Sequence, residues 1–472
     1  MTASTASPTR FRFWVLAVLC SLGFLTYLDR ICIMRVQGEI KRDLEFHRPS
    51  AAEQAQLAAN GTTLSAEAAA KAASDRATQR MSWVFSAFVA GYLLLEVPMG
   101  WLGDRMGSRR VLFSIVLWWS LFTAATGSVR GIASLLFSNP GPEHWLWLMI
   151  GIRFLFGIGE AGAYPNIARV LGRWFPFGER AFAQSFIWFA SRLGGALAPV
   201  TIGGLLTWGG GWSSAFHILG VVGILWAVAF FFWFRDRPEE MTRVNAAERD
   251  LIRGTEPIQG TIYDDTNGAK GMKWGSLFSP NVLALCLVSF SVSFCFYFFI
   301  TFLPQYLKDQ FKVDYQQSQL ISGLPLLAGG LACLVGGFVS DRAVRWTGSR
   351  RWGRSLLPIL AWSAAGACVL AVPTMNSATG VMVLLALGFA FQDLGVPVMW
   401  TMPADIGGRF AGTLGGWMNT AGSLGGLLSP LLAAKISIAY GWNAALFTFG
   451  AVYFLGALAW WVVDATQPME RR

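Results

Sequence analysis

Residues 100–110 read GWLGDRMGSRR, a short charged segment wedged between two long apolar runs, 80–102 and 109–128. Each run is close to the ~20 apolar residues that a helix needs to cross the hydrocarbon core of a membrane. Asp104, Arg105, Arg109 and Arg110 cannot rest in that core cheaply, since each charge costs at least ~2.5–3.5 kcal/mol at its centre. The segment is therefore a tight turn at a membrane surface. A degenerate echo, GGFVSDRAVR, returns at 336–345 after another apolar run, with Asp341, Arg342 and Arg345 in the corresponding places. A loop repeated at matching points divides the chain into two similar halves.

Working outward, twelve apolar runs are legible: 12–34, 80–102, 109–128, 145–169, 182–204, 212–234, 278–303, 317–340, 355–374, 378–402, 411–434 and 442–464. Polar residues interrupt the fourth and tenth. Two long polar connections break the series, 35–79 after the first run and 235–277 between the sixth and seventh. The reading is an all-α integral membrane protein of twelve transmembrane helices in two six-helix pseudo-symmetric halves. The first half spans 1–234 with its outer loop at 35–79, the linker 235–277, and the second half 278–472. Substrate sites in such repeated architectures lie between the halves near the midplane.

Composition agrees. Of 472 residues, 54% are hydrophobic and 14% charged, with mean hydropathy +0.47, where soluble domains carry about 25% charged residues. The net charge of +10 would suggest nucleic acid in a soluble protein. Here the basic residues gather in short connections, which sets orientation and excludes a nucleic-acid partner. Arg105, Arg109 and Arg110, Arg169, Arg173 and Arg180, the 235–277 linker and Arg342 to Arg354 lie on one side, together with both termini. That side is expected to be cytoplasmic. The six cysteines lie in apolar runs without metal-ligand spacing. The first run continues into Asp29–Arg30 with no small-residue cleavage site, so it reads as a retained span. An Asn60-Gly61-Thr62 sequon falls in the outer loop.

The 100–110 segment resembles the signature loop of the major facilitator superfamily, Gly-x-Leu-x-Asp-Arg-x-Gly-x-Arg-Arg. Further stretches narrow the resemblance: YLDR (27–30), RFLFGIGEAGAYPN (153–166), GRWFPFGERAFAQS (172–185) and DIGGRFAGTLGGWMNTAGSLGGLLSP (405–430). Together they are similar to the anion:cation symporter family, which includes bacterial sugar-acid importers and animal sialic-acid and vesicular organic-anion transporters. The resemblance covers essentially the whole chain and implies the major facilitator fold.

The residues that could carry transport are charges within apolar runs. Arg153 and Glu160 are seven apart, so two helical turns put them on nearly one face, ~10 Å apart along the axis. Asp29 and Arg30 adjoin at the end of the first run. Anion transport needs cations to hold a carboxylate and acids whose proton occupancy changes with conformation, and these pairs supply both. The resemblance implies that Arg30 and Arg153 bind the organic anion and that Asp29 and Glu160 carry or relay protons. Arginine suits the role because its fork grips a carboxylate at two points and keeps its charge. Static ion pairs locking the helices together are the alternative reading of these four.

Tyr27, Tyr92 and Asn419 match positions that such symporters use for hydroxyls and carboxylates, although packing would also explain them. Arg192 and Asp393 depart from the simplest sugar-acid pattern. They could bind a second carboxylate and a hydroxyl or neutralise one another, and Arg192 could instead snorkel or pair with Glu160. Glu96 reads as a helix-packing partner near the signature loop. Asp104, Arg105 and Arg109 are expected to form an interdomain latch.

The expectation is proton-coupled import of a hexuronate, aldonate, aldarate or related sugar acid across a bacterial-type inner membrane by alternating access. It needs no cofactor beyond the proton gradient, and its partners are the small organic anion, protons and the lipid bilayer; a monomer is expected. No nucleophile–base or metal constellation points to an enzyme. An anion exchanger, a sodium- or potential-driven carrier and a non-transporting sensor are the competing readings.

Overall fold

The computed structural model describes residues 7–50, 53, 55, 65–254, 272–312 and 324–469. The Asn60 sequon with residues 51, 52, 54 and 56–64 of the outer loop, residues 255–271 of the linker and residues 313–323, where the eighth run begins, lie outside them. In lipid every backbone polar group must bond internally, so each apolar run folds as a helix.

The first half contains α1 (Arg12–Asp43), α2 (Ala66–Met106), α3 (Ser108–Gly127), the short α4 (Val129–Leu136), α5 (Pro142–Glu160), α6 (Ala163–Trp174), α7 (Arg180–Gly209) and α8 (Trp212–Trp233). The linker carries α9 (Ala246–Arg253). The second half contains α10 (Pro280–Thr301), α11 (Leu303–Phe311), α12 (Leu324–Thr347), α13 (Arg350–Ala371), α14 (Ala378–Ile406) and α15 (Ala411–Ala459). Among the described residues, eleven helical stretches are long and apolar enough to span a membrane. One of them holds two spans. The 49 residues of α15 would reach about 70 Å, more than twice the ~30 Å hydrocarbon core. Gly441, at φ 81°, turns the chain back between its two arms.

Two spans differ clearly from the sequence expectation, and a third does not. The 35–79 connection is shorter than expected, because α1 runs on to Asp43 and α2 starts at Ala66. Arg80, buried near the start of the second run, ties α2 to the segment after α1 by donating to the carbonyls of Phe46 and Arg48, and it pairs with Glu143. The fourth span is broken after Glu160, and helix resumes at Ala163. Pro165 contributes to the break: it has no N–H to donate to the Ala161 carbonyl, and its ring would press on that carbonyl in a continuous helix. The tenth span, in contrast, is unbroken through Gln392 and Asp393, because both side chains find partners outside their helix.

Both termini and the linker share one end of the bundle, called here the terminal end. Glu248 of α9 accepts hydrogen bonds from the backbone N–H groups of Phe11 and Arg12, and the Met469 N–H bonds to the Ile406 carbonyl at the foot of α14. At this end buried apolar side chains from both halves form one cluster, including Leu171, Trp174, Met402 and Leu414. Toward the opposite end the described core divides in two. One cluster, with Ile33, Met81 and Phe216, belongs wholly to the first half, and the other, with Phe298, Leu385 and Phe449, wholly to the second. The halves are thus joined at the terminal end and separately packed beyond it.

Glycines allow the closest approach across the seam. A Cβ on Gly100 of α2 would lie 2.1 Å from the carbonyl oxygen of Gly412 on α15, and one on Gly412 would lie 2.5 Å from that of Gly100. No larger residue fits at either place.

Candidate functional site

Four charged side chains from two helices meet in the first half. Arg30 of α1 donates from Nε to Oε1 of Glu160 at 2.8 Å. Asp29, Arg153 and Glu160 are nearly inaccessible, whereas the Arg30 side chain keeps 26% of its exposure. Close packing of α2 on α5 shapes the wall: a Cβ on Gly157 would meet the Phe88 carbonyl oxygen at 2.2 Å. Aromatic faces complete it. The Arg30 guanidinium lies 4.7 Å from the Tyr92 ring, and that of Arg153 lies 4.1 Å from Phe156 and 5.4 Å from Phe88. Such faces stabilise a cation that has left water.

Arg153 and Glu160 share a helix, yet the ion partner of Glu160 is Arg30. Arg153 makes no ion pair among the described residues, and its Nε is buried without a hydrogen-bond partner. Asp29 Oδ1, Arg30 Nη2 and Glu160 Oε2 are also buried and unpartnered. A buried charged group lacking its full set of hydrogen bonds is costly. Four such atoms on neighbouring residues are a strongly polar, incompletely satisfied cluster.

Arg192 and Asp393 meet across the halves. Nε and Nη2 of Arg192 on α7 donate to Oδ2 and Oδ1 of Asp393 on α14 at 2.8 and 3.1 Å. They neutralise one another, so the alternatives in which Arg192 snorkels or pairs with Glu160 are excluded in this conformation. Tyr27 stands between the two arginine sites: its hydroxyl accepts from Arg192 Nη1 at 3.3 Å, and its ring lies 5.9 Å from both the Arg30 and the Arg192 guanidinium. Below this level Tyr164, Trp188 and Trp400 pack with ring centroids 5.0–5.7 Å apart. Trp400 comes from the second half, so this aromatic floor spans the seam on the terminal side of the charges.

Asn419 of α15 donates to the Tyr92 hydroxyl at 3.2 Å and to Oε1 of Glu96 at 2.8 Å. Ser423 donates to the same oxygen. Glu96 is therefore not merely a packing partner beside the 100–110 loop, because it bonds the second half directly. An acid in an apolar run is visible in sequence, but nothing there reveals a partner 323 positions away.

At the terminal end Asp104 bonds the second half directly, whereas Arg105 and Arg109, expected to join it in a latch, make no hydrogen bond or ion pair across the seam among the described residues. Asp104 accepts from the N–H groups of Gly412 and Thr413 and from the Thr413 hydroxyl, at 2.9, 2.7 and 2.7 Å. A carboxylate on the first turn of α15 satisfies otherwise unbonded N–H groups and complements the helix dipole. Arg105 is exposed over Trp101. Arg109 bonds the Phe231 carbonyl and stacks on the Phe231 ring; on the first turn of α3 it faces α8 of its own half, away from the seam. The cation paired with Asp104 is Arg169 of α6, in the same half, whose Nε donates to it at 3.1 Å.

The second half repeats the device. Asp341 accepts from the Phe182 N–H on the first turn of α7 at 2.7 Å. Arg354 pairs with Asp341 and Asp405 at 2.5 and 2.9 Å, and Arg180 reaches Asp405 at 3.1 Å. The echo at 336–345 points to Asp341; Asp405 opens the 405–430 stretch that carries the resemblance, but nothing in that stretch reveals its partners.

Comparisons with known proteins agree with this architecture. The family model described as Major Facilitator Superfamily matches residues 19–430. The chain is 31% identical over 457 residues to the "Probable sulfoacetate transporter SauU" of Cupriavidus necator, covering 95% of this chain and 93% of that protein. It is 30% identical over 392 residues to the D-galactonate transporter of Escherichia coli O6:H1, covering 80% of this chain and 85% of the relative. Among solved structures, the proton:xylose symporter XylE superposes with a TM-score of 0.73 at 12% identity, over 98% of both chains.

Proposed function

The chain belongs to the Major Facilitator Superfamily and is a multi-pass membrane transport protein, not an enzyme; from that premise we propose that it is a proton-coupled symporter importing a small organic acid, of the sugar-acid class or close to it. The observation that carries the reading is the cluster of Arg30, Arg153, Asp29 and Glu160, two cations beside two acids, with four buried polar atoms lacking partners. Intramembrane charge of this kind is functional by default. The printed names of the two relatives, a sulfoacetate and a D-galactonate transporter, support an organic anion as the cargo.

In this reading the terminal end faces the cytoplasm of a bacterial-type inner membrane and the anion enters from the other side. Arg30 and Arg153 anchor its carboxylate. Arg192 is already neutralised by Asp393, so the anchor needs only one acidic group on the cargo. Protonation of Glu160 from outside cancels the charge that Arg30 Nε now meets at 2.8 Å. The arginine fork then turns to the anion, and Asp29 relays or shares the proton. With the cluster neutral overall, the halves rock, the Asp104 and Asp341 latches part, and anion and proton leave together. Tyr27, Tyr92 and Asn419 supply hydroxyl and amide contacts. The gradient alone drives the cycle, without a cofactor, and one chain suffices because both walls of the site belong to it.

Uptake of D-galactonate or sulfoacetate into proteoliposomes tests the proposal. An inward proton gradient should accelerate uptake of at least one. Uptake that responds only to sodium, to membrane potential or to an internal anion would overturn proton symport while leaving transport intact.

A further inference from the structure

Glu96 has no role in the cycle above, and its surroundings give it one. It is fully buried on α2. Oε1 accepts from Asn419 Nδ2 and Ser423 Oγ, both at 2.8 Å and both on α15 of the other half. Oε2 is buried with no partner, and Glu96 makes no ion pair among the described residues. The groups facing it are few. Thr420 is beside it on α15, Tyr92 lies one turn back on α2, Tyr297 approaches from α10, and Arg30 of α1 acts from a distance with its Nε committed to Glu160. Only neutral donors touch the carboxyl.

An ionised carboxylate held dry by two neutral donors carries a large desolvation cost. The neutral acid keeps both cross-seam hydrogen bonds at its carbonyl oxygen at a far smaller cost. We propose that Glu96 is a proton-exchanging gate residue, which fastens α2 to α15 as a carboxylic acid and gives up its proton when the halves part and water enters the seam. It is a third proton site, on the seam itself, and it does not require Asp29 or Glu160 to carry protons. The proton exchanges with water, so the balance is one hydronium per opening. Acid would then hold the terminal end closed even without cargo.

The test uses full-length protein in lipid nanodiscs without substrate, with its native cysteines replaced and spin labels at Arg110→Cys and Trp346→Cys, one in each half. The ratio of parted to joined conformers is read against pH. One coupled proton changes that ratio by up to about tenfold per pH unit. In Glu96→Gln, whose amide oxygen can accept the same two hydrogen bonds, the slope of the logarithm of the ratio should fall by up to about one. Glu96→Met, similar in shape and without a proton, should lose the same slope, and the loss should persist in a Glu160→Gln background. A slope unchanged by Glu96→Gln, a parent without pH dependence, or a loss seen only while Glu160 is intact would overturn the proposal. None of these readouts depends on the organic-acid assignment.

Discussion

Arg192 and Asp393 clasp each other across the two halves, near the middle of α7 and of α14, through two hydrogen bonds of 2.8 and 3.1 Å. Gln392 adds a third bond to Asp393 Oδ1 and is itself held by the Tyr453 hydroxyl at 2.7 Å. Both charges are almost wholly buried. Breaking one side of such a pair leaves an uncompensated charge and costs about 3–5 kcal/mol, whereas removing both often costs little. Asp393→Asn alone should therefore lower the thermal stability of the purified protein sharply, and Arg192→Met with Asp393→Leu should recover most of it. A double variant no more stable than the single one would show that the pair is not the source of the loss.

Arg153 has the weaker set of protein contacts of the two proposed anchors. Replacing it with Ala should leave the fold intact and remove charge-assisted hydrogen bonds to the anion worth about 1.5–3 kcal/mol, a loss of roughly 10–100-fold in affinity. Isothermal titration with D-galactonate or sulfoacetate, whichever the wild type binds, reads this directly. Arg153→Lys should recover only part, because a point charge cannot reproduce the two-point fork.

Glu160→Gln separates binding from coupling. The neutral side chain mimics the protonated state and releases Arg30, so anion exchange between equally loaded compartments should continue. Uptake driven by a pH gradient should stop. If gradient-driven accumulation survives, Glu160 is not the coupling acid.

Asp104 holds the first turn of α15 by three hydrogen bonds. Asp104→Ala forfeits them, at about 1–3 kcal/mol for the donors left unpaired, and should populate conformers parted at the terminal end. A cysteine at Thr413 should then react faster with a water-soluble maleimide. Arg105→Ala should leave that rate unchanged, since Arg105 makes no hydrogen bond or ion pair with the second half among the described residues.

Glu248 ties the linker to the N-terminus. Burial works against its charge, but bonds from Thr9, Arg12 and the Phe11 N–H outweigh it and hold the carboxyl below its ordinary range. A group depressed on folding contributes stability above its unfolded pKa and loses it as pH falls through the folded value. Glu248→Gln should accordingly expose the N-terminal segment to proteolysis at neutral pH by about 2 kcal/mol of local stability. The difference from wild type should shrink as pH falls below the ordinary carboxyl range.

Much of the fold and part of the site are legible in the chain itself. The apolar runs, the repeated Asp-Arg loop and the charges at 29, 30, 153 and 160 are local features, and hydropathy with a 3.6-residue period locates them. Polar interruption of the fourth run signals the break after Glu160, and Pro165 contributes to it. Gln392 and Asp393 give the same signal in the tenth run, but there the helix continues, because Arg192 and Tyr453 satisfy the side chains from other helices.

What the sequence alone determined, then, is an all-helical membrane bundle in two related halves, with a few intramembrane charges that demand partners. Tertiary structure decided which partners: Arg30 for Glu160, 130 positions apart; Arg192 for Asp393, 201 apart; Asn419 for Glu96, 323 apart. It also paired Asp104 with Arg169 and not with Arg105 or Arg109, and brought Arg180 and Arg354 to Asp405. The physical reason is the same in each case. Burial cost depends on one residue and its neighbours in the chain, while pairing depends on how each helix is rotated and where the two halves meet.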